Sequence, residues 1–143
     1  MDHSETERAY FAGFVDGEGA IMLRSCGRGN ITLTLVIANT NLGALRGLQQ
    51  LWGGYIHEEA SQSVLHKPIY KLAFGGEVTG KILEEIGPFL RLKQKQCGIA
   101  LQFAETISCL KRPLAADTLS LRRFLQTQMK SLNYRGVMAP IGA

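Results

Sequence analysis

The chain has 143 residues, of which 45% are hydrophobic, and its formal net charge is +4. This length fits one domain with enough apolar content to bury a core, so we expect a single domain over residues 1–143. No apolar run could span a membrane and the acidic start resembles no leader, so we expect an intracellular protein with no membrane partner, in a bacterial cytoplasm or encoded inside an organelle.

The first predicted element is a helix with a clear start and a clear end. The segment Ser4–Glu7 fits a capping box, which marks a helix N-terminus. The helix is expected to end at Gly19, so Asp16 and Glu18 lie on its last turn. The macrodipole disfavours carboxylates at that end, which suggests that a cation holds them. An ordinary helix with a glycine cap and solvated acids is an equal alternative at this point.

Two glycines give the same helix an unusual face. Gly13 and Gly17 are four residues apart and lie on one side of the helix, which therefore has no side chain there. Each of them destabilises a helix by about 1 kcal/mol relative to alanine. Because two such glycines in one helix suggest a purpose, we predict that another backbone approaches this face closely.

A β-hairpin is predicted to follow the helix. Ala20–Ser25 and Ile31–Ile37 read as strands, and the Cys-Gly-Arg-Gly-Asn sequence between them has the composition of a turn. Alternation at period two predicts which side chains of the second strand face the core. The inward set is Ile31, Leu33, Leu35 and Ile37, and the outward set is Thr32, Thr34 and Val36.

The remaining elements complete an alternating plan of helices and strands without a linker. We expect an α+β fold in which helices cover the inner face of a four-stranded antiparallel sheet. The next helix should place Leu42, Leu45, Leu48 and Leu51 on one face. The further predictions are helices at Asn39–Leu51, Val78–Ile86, Lys93–Ile107 and Leu114–Met129, strands at Tyr55–Glu58 and Ile69–Phe74, and a loose tail over residues 131–143.

The distribution of charge points to a polyanionic partner. No acid occurs between Gly19 and His57, between Ile86 and Ala104, or after Asp117, and each of these stretches carries basic residues. Chance clustering of solvated charge is the alternative. Three such stretches on one domain predict a surface that faces a polyanion.

The outer face of the sheet is the expected contact surface for DNA. A two-stranded ribbon fits the major groove, where base edges carry a distinguishable code. A solvated sheet face would explain the threonines by β-propensity, but not the lack of acids. Either Tyr70 or Lys71 should project outward from the last strand. The predicted DNA contacts are Arg24, Arg28, Asn30, Thr32, Thr34, Arg46, His57, Tyr70, Lys71 and Lys95.

Two segments carry a resemblance to a known family. Phe11–Gly19, which reads Phe-Ala-Gly-Phe-Val-Asp-Gly-Glu-Gly, resembles the signature of the LAGLIDADG homing endonucleases. Phe89–Gln96 resembles the segment of single-motif members that carries the active-site lysine. The order of elements between the two segments also agrees, so the resemblance covers about residues 6–106. It implies the αββαββα fold of that family, with a saddle-shaped sheet.

The resemblance also implies catalytic residues. In that family the acid before the last signature glycine binds the catalytic divalent metal, and Glu18 has this position, with the Gly19 carbonyl as a further metal contact. Asn39 matches a polar residue that positions water, and Lys93 matches the active-site lysine. The implied cofactor is Mg²⁺, with Mn²⁺ as a substitute. Glu18 departs from the more common aspartate, and Gly43 stands near a position that is often basic.

One signature per chain implies a homodimer, because two signature helices pack against each other in that family. The target should then be nearly palindromic. Asp16 is expected to brace the helix ends rather than bind metal. The implied dimer interface consists of Ala9, Ala12, Gly13, Asp16 and Gly17.

The function implied by the resemblance is site-specific cleavage of double-stranded DNA, which spreads a mobile intron. Two other classes remain open: a splicing maturase, whose partner would be intron RNA, and a non-catalytic DNA-binding regulator. The joint presence of Glu18, Asn39 and Lys93 favours the nuclease, because a protein that only binds needs none of them.

Overall fold

The computed structural model describes residues 3–59, 67–108 and 115–134. The observed order of helices and strands confirms the predicted α+β plan. No helix in these ranges combines the length and the apolar character needed to cross a membrane. The elements are α1 (Glu5–Glu18), β1 (Gly19–Ser25), β2 (Ile31–Asn39), α2 (Leu42–Trp52), β3 (Tyr55–Glu59), β4 (Ile69–Phe74), α3 (Gly76–Ile86), a 3₁₀ turn (Gly87–Phe89), α4 (Gln94–Ser108) and α5 (Ala116–Asn133).

The four strands form one antiparallel sheet in the order β1-β2-β4-β3. Gly19 at the start of β1 pairs with Ile37, and Asn39 at the end of β2 pairs with Tyr70 near the start of β4. These residues therefore lie at one end of the sheet, which we call the α1 end. The turn between β1 and β2 lies at the opposite end.

The core lies between the inner face of the sheet and the helices. Ile21, Leu35 and Leu72 of the strands are 0% exposed, as are Leu45 of α2 and Leu83 of α3. Full burial of one such side chain stabilises a fold by about 1.5–3 kcal/mol. The alternation predicted for β2 is confirmed, because Ile31, Leu33, Leu35 and Ile37 are all buried.

The second helix begins later than predicted. β2 continues to Asn39, and α2 starts at Leu42 after the N-cap Asn41. Asn39 is therefore a strand residue. The strand continues for two residues beyond Ile37, its last buried residue. Of the four leucines predicted at helical spacing, Leu45 and Leu48 are buried, whereas Leu51 is 41% exposed and the neighbouring Trp52 is 7% exposed.

The last helix is longer than predicted. α5 ends at Asn133 rather than Met129, so the loose tail predicted from residue 131 is wrong for its first three positions. Residues 109–114, which include the predicted helix start Leu114, and residues 135–143 lie outside the described residues.

Side-chain amides of α5 cover the outer edge of β1. Gln126 Nε2 donates to the Leu23 carbonyl oxygen at 3.2 Å, and Asn133 Nδ2 donates to the Ile21 carbonyl oxygen at 2.8 Å. β1 is an edge strand, so these carbonyl groups would otherwise lack a partner within the sheet. The contacts fix α5 alongside the strand that begins at Gly19.

His3 connects the start of α1 to two other helices. Its ring stacks on Trp52 with the centroids 3.6 Å apart, and Trp52 in turn stacks on Phe11 at 4.8 Å. Nδ1 lies 3.1 Å from the Glu85 carboxylate and Nε2 lies 2.6 Å from the Leu51 carbonyl oxygen. Both partners are acceptors, so the geometry favours the protonated ring, which donates from both nitrogens. Burial lowers the pKa of His3, but the hydrogen bonds and the charge of Glu85 raise it above the ordinary 6.5.

Candidate active site and DNA interface

The end of α1 presents Glu18 to solvent. Glu18 is the last helical residue and is exposed, and Gly19 begins β1 directly after it. The Gly19 N–H donates to the Val15 carbonyl and closes the helix. A Cβ at Gly19 would lie 2.8 Å from both the Cα and the carbonyl oxygen of Val15. Only glycine fits there, so the direct junction fixes the position of Glu18 relative to the sheet.

The carboxylate of Asp16 is held within the chain. Its Oδ2 accepts the Arg91 N–H at 2.8 Å, and its Oδ1 accepts the N–H groups of Leu92 and Lys93 at 3.1 Å each. These donors lie directly before α4, in a segment that belongs to no helix or strand. Asp16 thus braces the start of α4 from the end of α1, in agreement with the role expected for it.

Lys93 reaches the end of α1 through its side chain. Its Nζ donates to the Asp16 carbonyl oxygen at 2.9 Å, at the negative end of the α1 macrodipole. Glu18 follows Asp16 by two residues, so the ammonium group and the exposed carboxylate share one helix end.

Asn39 lies at the α1 end of the sheet. It pairs with Tyr70 and follows Ile37, the strand partner of Gly19, by two residues. Its side-chain oxygen accepts the Asn41 N–H at 2.8 Å, which orients the amide at the turn into α2. Lys93 therefore contacts the last turn of α1, and Asn39 lies at the end of the sheet where Gly19 follows that helix.

A single chain brings few metal ligands to this place. Within the described residues, no three His, Cys, Asp or Glu side chains lie close enough together to hold a metal ion. Both carboxylate oxygens of Asp16 accept N–H groups, whereas the Glu18 carboxylate is exposed. The oxygen donors of Glu18 and the Gly19 carbonyl have the chemistry that Mg²⁺ prefers, since this ion uses one or two carboxylates plus water and phosphate oxygens.

The residues predicted for the dimer interface divide between two faces of α1. Ala9, Gly13 and Gly17 are exposed, and a Cβ added at either glycine would meet nothing within 4 Å. Ala12 is 0% exposed and packs in the core. The prediction that Ala12 contacts a second chain is therefore wrong, because its own chain encloses its side chain. It precedes the buried Val15 by three residues, so the two side chains share a face of α1.

Most of the predicted strand contacts share the outer face of the sheet. Arg24 pairs with Thr32 near the β1–β2 turn, and His57 pairs with Lys71 at the α1 end. These residues and Thr34 alternate with buried neighbours, so their side chains point away from the core. The outer face thus carries side chains with hydrogen-bond donors at both ends of the sheet.

Tyr70 belongs to the other face. It pairs with Asn39 and Glu58 and packs against the core cluster. Alternation along β4 then assigns the outward position to Lys71. The prediction that Tyr70 projects from the DNA-facing surface is corrected accordingly.

The outer face carries an acidic residue, Glu59, which lies just after the acid-free stretch that ends at His57. Glu59 shares the outward parity of His57, and its Oε2 lies 2.9 Å from Lys71 Nζ. Such an exposed pair contributes about 0–1 kcal/mol to stability, but it lowers the positive charge that Lys71 presents. The period-two alternation of β3 contained the signal, because it places every second residue from Tyr55 on this face.

The β1–β2 turn exposes two of the predicted contacts at its tip. Arg28 has a φ of 52° between two glycines that also have positive φ, and the Asn30 N–H donates to the Gly27 carbonyl at 2.9 Å. Consecutive left-handed residues wind this turn tightly. Arg28 and Asn30 are both exposed at the end of the ribbon.

Arg46 and Lys95 lie on helices rather than on strands. Both side chains are exposed, Arg46 on α2 and Lys95 on the first turn of α4. Arg46 therefore does not belong to the outer face of the sheet, because α2 covers the inner face. Lys95 follows Lys93 by two residues.

Comparison with solved structures identifies the fold. The archaeal intron-encoded homing endonuclease I-Vdi141I, in complex with DNA, matches with a TM-score of 0.78 over 94% of this chain and 89% of that chain, at 17% identity. The homing endonuclease I-CvuI, in complex with its target, matches with a TM-score of 0.73 over 92% of this chain and 84% of that chain, at 21% identity. The LAGLIDADG homing endonuclease I-GzeII, in complex with a DNA target, matches 94% of this chain but 47% of that chain, with a TM-score of 0.72 and 15% identity.

The fold is that of the LAGLIDADG homing endonucleases. This confirms the fold class and the resemblance that the two sequence segments predicted. At the level of sequence, the chain matches no protein-family profile and no curated protein. The LAGLIDADG fold places the signature segment Phe11–Gly19 on α1 and its junction with β1, where Glu18 is exposed.

Proposed function

We propose that the chain is a divalent-metal-dependent endonuclease that acts as a homodimer on a long, nearly palindromic site in double-stranded DNA and so spreads a mobile intron. One observation supports the proposal: on a LAGLIDADG fold, Glu18 is exposed at the end of α1, Lys93 donates to that same helix end, and Asn39 lies at the α1 end of the sheet. A regulator that only binds DNA would need the basic surface but none of these three residues.

The proposed dimer uses the open face of α1. Gly13 and Gly17 leave space into which the backbone of another helix can pack. A two-fold axis beside this face would bring two copies of Glu18 together, and closed two-fold dimers are the commonest oligomers. The lengths support this arrangement, because the chain matches 89% of I-Vdi141I but only 47% of I-GzeII. A second copy would supply the remaining half.

The proposed chemistry divides between the metal and the side chains. A bound Mg²⁺ would activate water and stabilise the leaving oxygen, and Mn²⁺ is expected to substitute for it. Glu18 and the Gly19 carbonyl would bind the ion. Lys93 would stabilise negative charge on the phosphate, because its ammonium group is held in place before the substrate arrives. Asn39 would orient water at the same place.

The outer face of the sheet is the proposed reader of DNA sequence. β2 has nine residues, which at about 3.3 Å per residue span roughly 30 Å, or about nine base pairs at about 3.4 Å each. One chain would therefore read a half-site. Arginine, threonine, histidine and lysine side chains on this face suit phosphates and base edges, and they lie among apolar side chains such as Met22 and Val36.

Selection of cleaved sites from a randomised palindromic DNA library in Mg²⁺ tests the proposal. We expect enrichment of nearly palindromic sites by the parent. Glu18→Gln keeps the shape of the side chain but removes the charge that binds metal, so its cleavage should fall by orders of magnitude while DNA binding remains. Glu84→Gln, an exposed acid on α3, is the matched control.

Two outcomes would contradict the proposal. Cleavage by Glu18→Gln at the rate of the parent would remove the metal assignment. A parent that cuts no library member but binds its own intron RNA tightly would instead be a splicing maturase.

A further inference from the structure

The contact between the end of α1 and the start of α4 includes four hydrogen bonds to Asp16. Asp16 contributes two different groups to it: its carboxylate accepts three consecutive N–H groups of Arg91–Lys93, and its main-chain carbonyl accepts the Lys93 ammonium group. Lys93 is thus held at both ends of its side chain by one residue.

We propose that Asp16 is a positioning residue for the cleavage reaction, which holds the Lys93 ammonium group at the end of α1 beside Glu18. This inference rests on the proposed endonuclease function and adds a residue to it. Asp16 itself would contact neither metal nor DNA, since both of its carboxylate oxygens accept N–H groups of the chain.

The physical reason lies in the flexibility of lysine. A four-carbon side chain loses substantial rotamer freedom when its charge is fixed in one place, and a mislocated charge stabilises a transition state poorly. Here the backbone of Lys93 is fixed by Asp16 Oδ1 at 3.1 Å, and its Nζ is fixed by the Asp16 carbonyl at 2.9 Å. The Lys93 carbonyl in turn accepts the Cys97 N–H at 2.9 Å, which ties the residue to the first turn of α4.

Asparagine cannot reproduce this arrangement. Its amide has one oxygen and one NH₂ group, so in the place of Asp16 it would set a donor against at least one of the three N–H groups. Asp16→Asn therefore changes hydrogen bonding with almost no change in volume. Asp117→Asn is the matched control, because Asp117 is an exposed aspartate in the first turn of α5.

The position of Lys93 can be measured without any cleavage. Limited acetylation with acetic anhydride, followed by mass spectrometry, gives the rate at each lysine, and the exposed Lys95 serves as the internal standard. We expect Asp16→Asn to raise the ratio of Lys93 to Lys95 acetylation several-fold, and Asp117→Asn to leave it unchanged. An unchanged ratio in Asp16→Asn would overturn the inference, whatever the enzyme activity.

A double-mutant cycle on single-turnover cleavage then tests the link to the reaction. If Asp16 acts through Lys93, cleavage by the double variant Asp16→Asn/Lys93→Ala should equal that of Lys93→Ala alone within about twofold. If Asp16 only stabilises the fold, the two losses should multiply, which would overturn the inference. A parent that cuts no DNA would refute the proposed function, while the acetylation ratio would still decide whether Asp16 positions Lys93.

Discussion

The two faces of α1 have opposite relations to the rest of the chain. One carries Phe11, Ala12 and Val15, which are 0% exposed and enclosed by the core. The other carries Gly13 and Gly17, where an added Cβ would meet nothing within 4 Å. The packed face has all its partners within one chain. The open face, which ends at Glu18, is the one that a second chain covers in the proposed dimer.

Gly13→Leu on the open face should have the largest effect. In the proposed dimer, four added carbons would separate the two chains, and such overpacking costs about 1–3 kcal/mol for each copy. We expect sedimentation to show twice the chain mass for the parent and a single chain for the variant, whose DNA cleavage should be lost. At concentrations low enough for both proteins to be monomeric, the variant should unfold no more easily than the parent, because leucine is favoured over glycine in a helix by about 0.8 kcal/mol. A parent that sediments as a monomer with and without DNA would refute the two-fold arrangement.

Ala12→Leu makes the matched change on the packed face. Ala12 has no exposed surface, so three added carbons must displace core side chains. We expect the free energy of unfolding to fall by about 1–3 kcal/mol in chemical denaturation, with self-association of the folded fraction retained. Equal changes in the free energy of unfolding for Ala12→Leu and Gly13→Leu would contradict the distinction between the two faces.

Glu59→Gln extends the comparison to the two faces of the sheet. Removal of its charge leaves Lys71 uncompensated on the outer face, so DNA affinity should rise a few-fold at low salt. The slope of log affinity against log salt should steepen by about 0.9, which corresponds to one further phosphate contact. The control is Glu58→Gln, because Glu58 pairs with Tyr70 on the other face. Equal slopes for the two variants would contradict the assignment of the outer face.

His3→Gln, just before α1, should have the smallest effect, visible as a pH dependence. The pKa of His3 in the folded chain is raised above 6.5, so folding favours the protonated ring. Its contribution to stability is therefore complete below about pH 6.5 and is lost as the pH rises through the folded pKa. The difference in Tm between parent and variant, followed by circular dichroism, should be larger at about pH 5.5 than at about pH 9. A difference that does not change with pH would argue against a protonated His3.

Elements with local signals were predictable from the sequence. The capping box at Ser4, the glycine after Glu18 and the alternation of Ile31–Ile37 each act over a few residues, and the structure confirms all three. The start of α2 was not predictable in this way, because the Asn39 side chain could cap a helix or end a strand. The sheet pairing with Tyr70 decided in favour of the strand.

The candidate site was predictable where the motif carried it, and less so elsewhere. The signature located Glu18 and Gly19, and the second segment located Lys93. The N–H partners of Asp16 lie 75 to 77 residues away, and main-chain groups carry no sequence signal at that range. The burial of Ala12 was not decided by the sequence, because Ala12 lies three residues from both the exposed Ala9 and the buried Val15.

The amides of α5 on β1 have a consequence for how two copies can meet. An edge strand with unpaired carbonyl groups is a template for a strand of another molecule, as in fibrils. Here Gln126 and Asn133 occupy two of those positions, at Leu23 and Ile21. A second copy therefore cannot continue the sheet across β1 unless α5 first detaches. In the proposed dimer, each sheet would therefore keep its own twist and contact its own half of the DNA site.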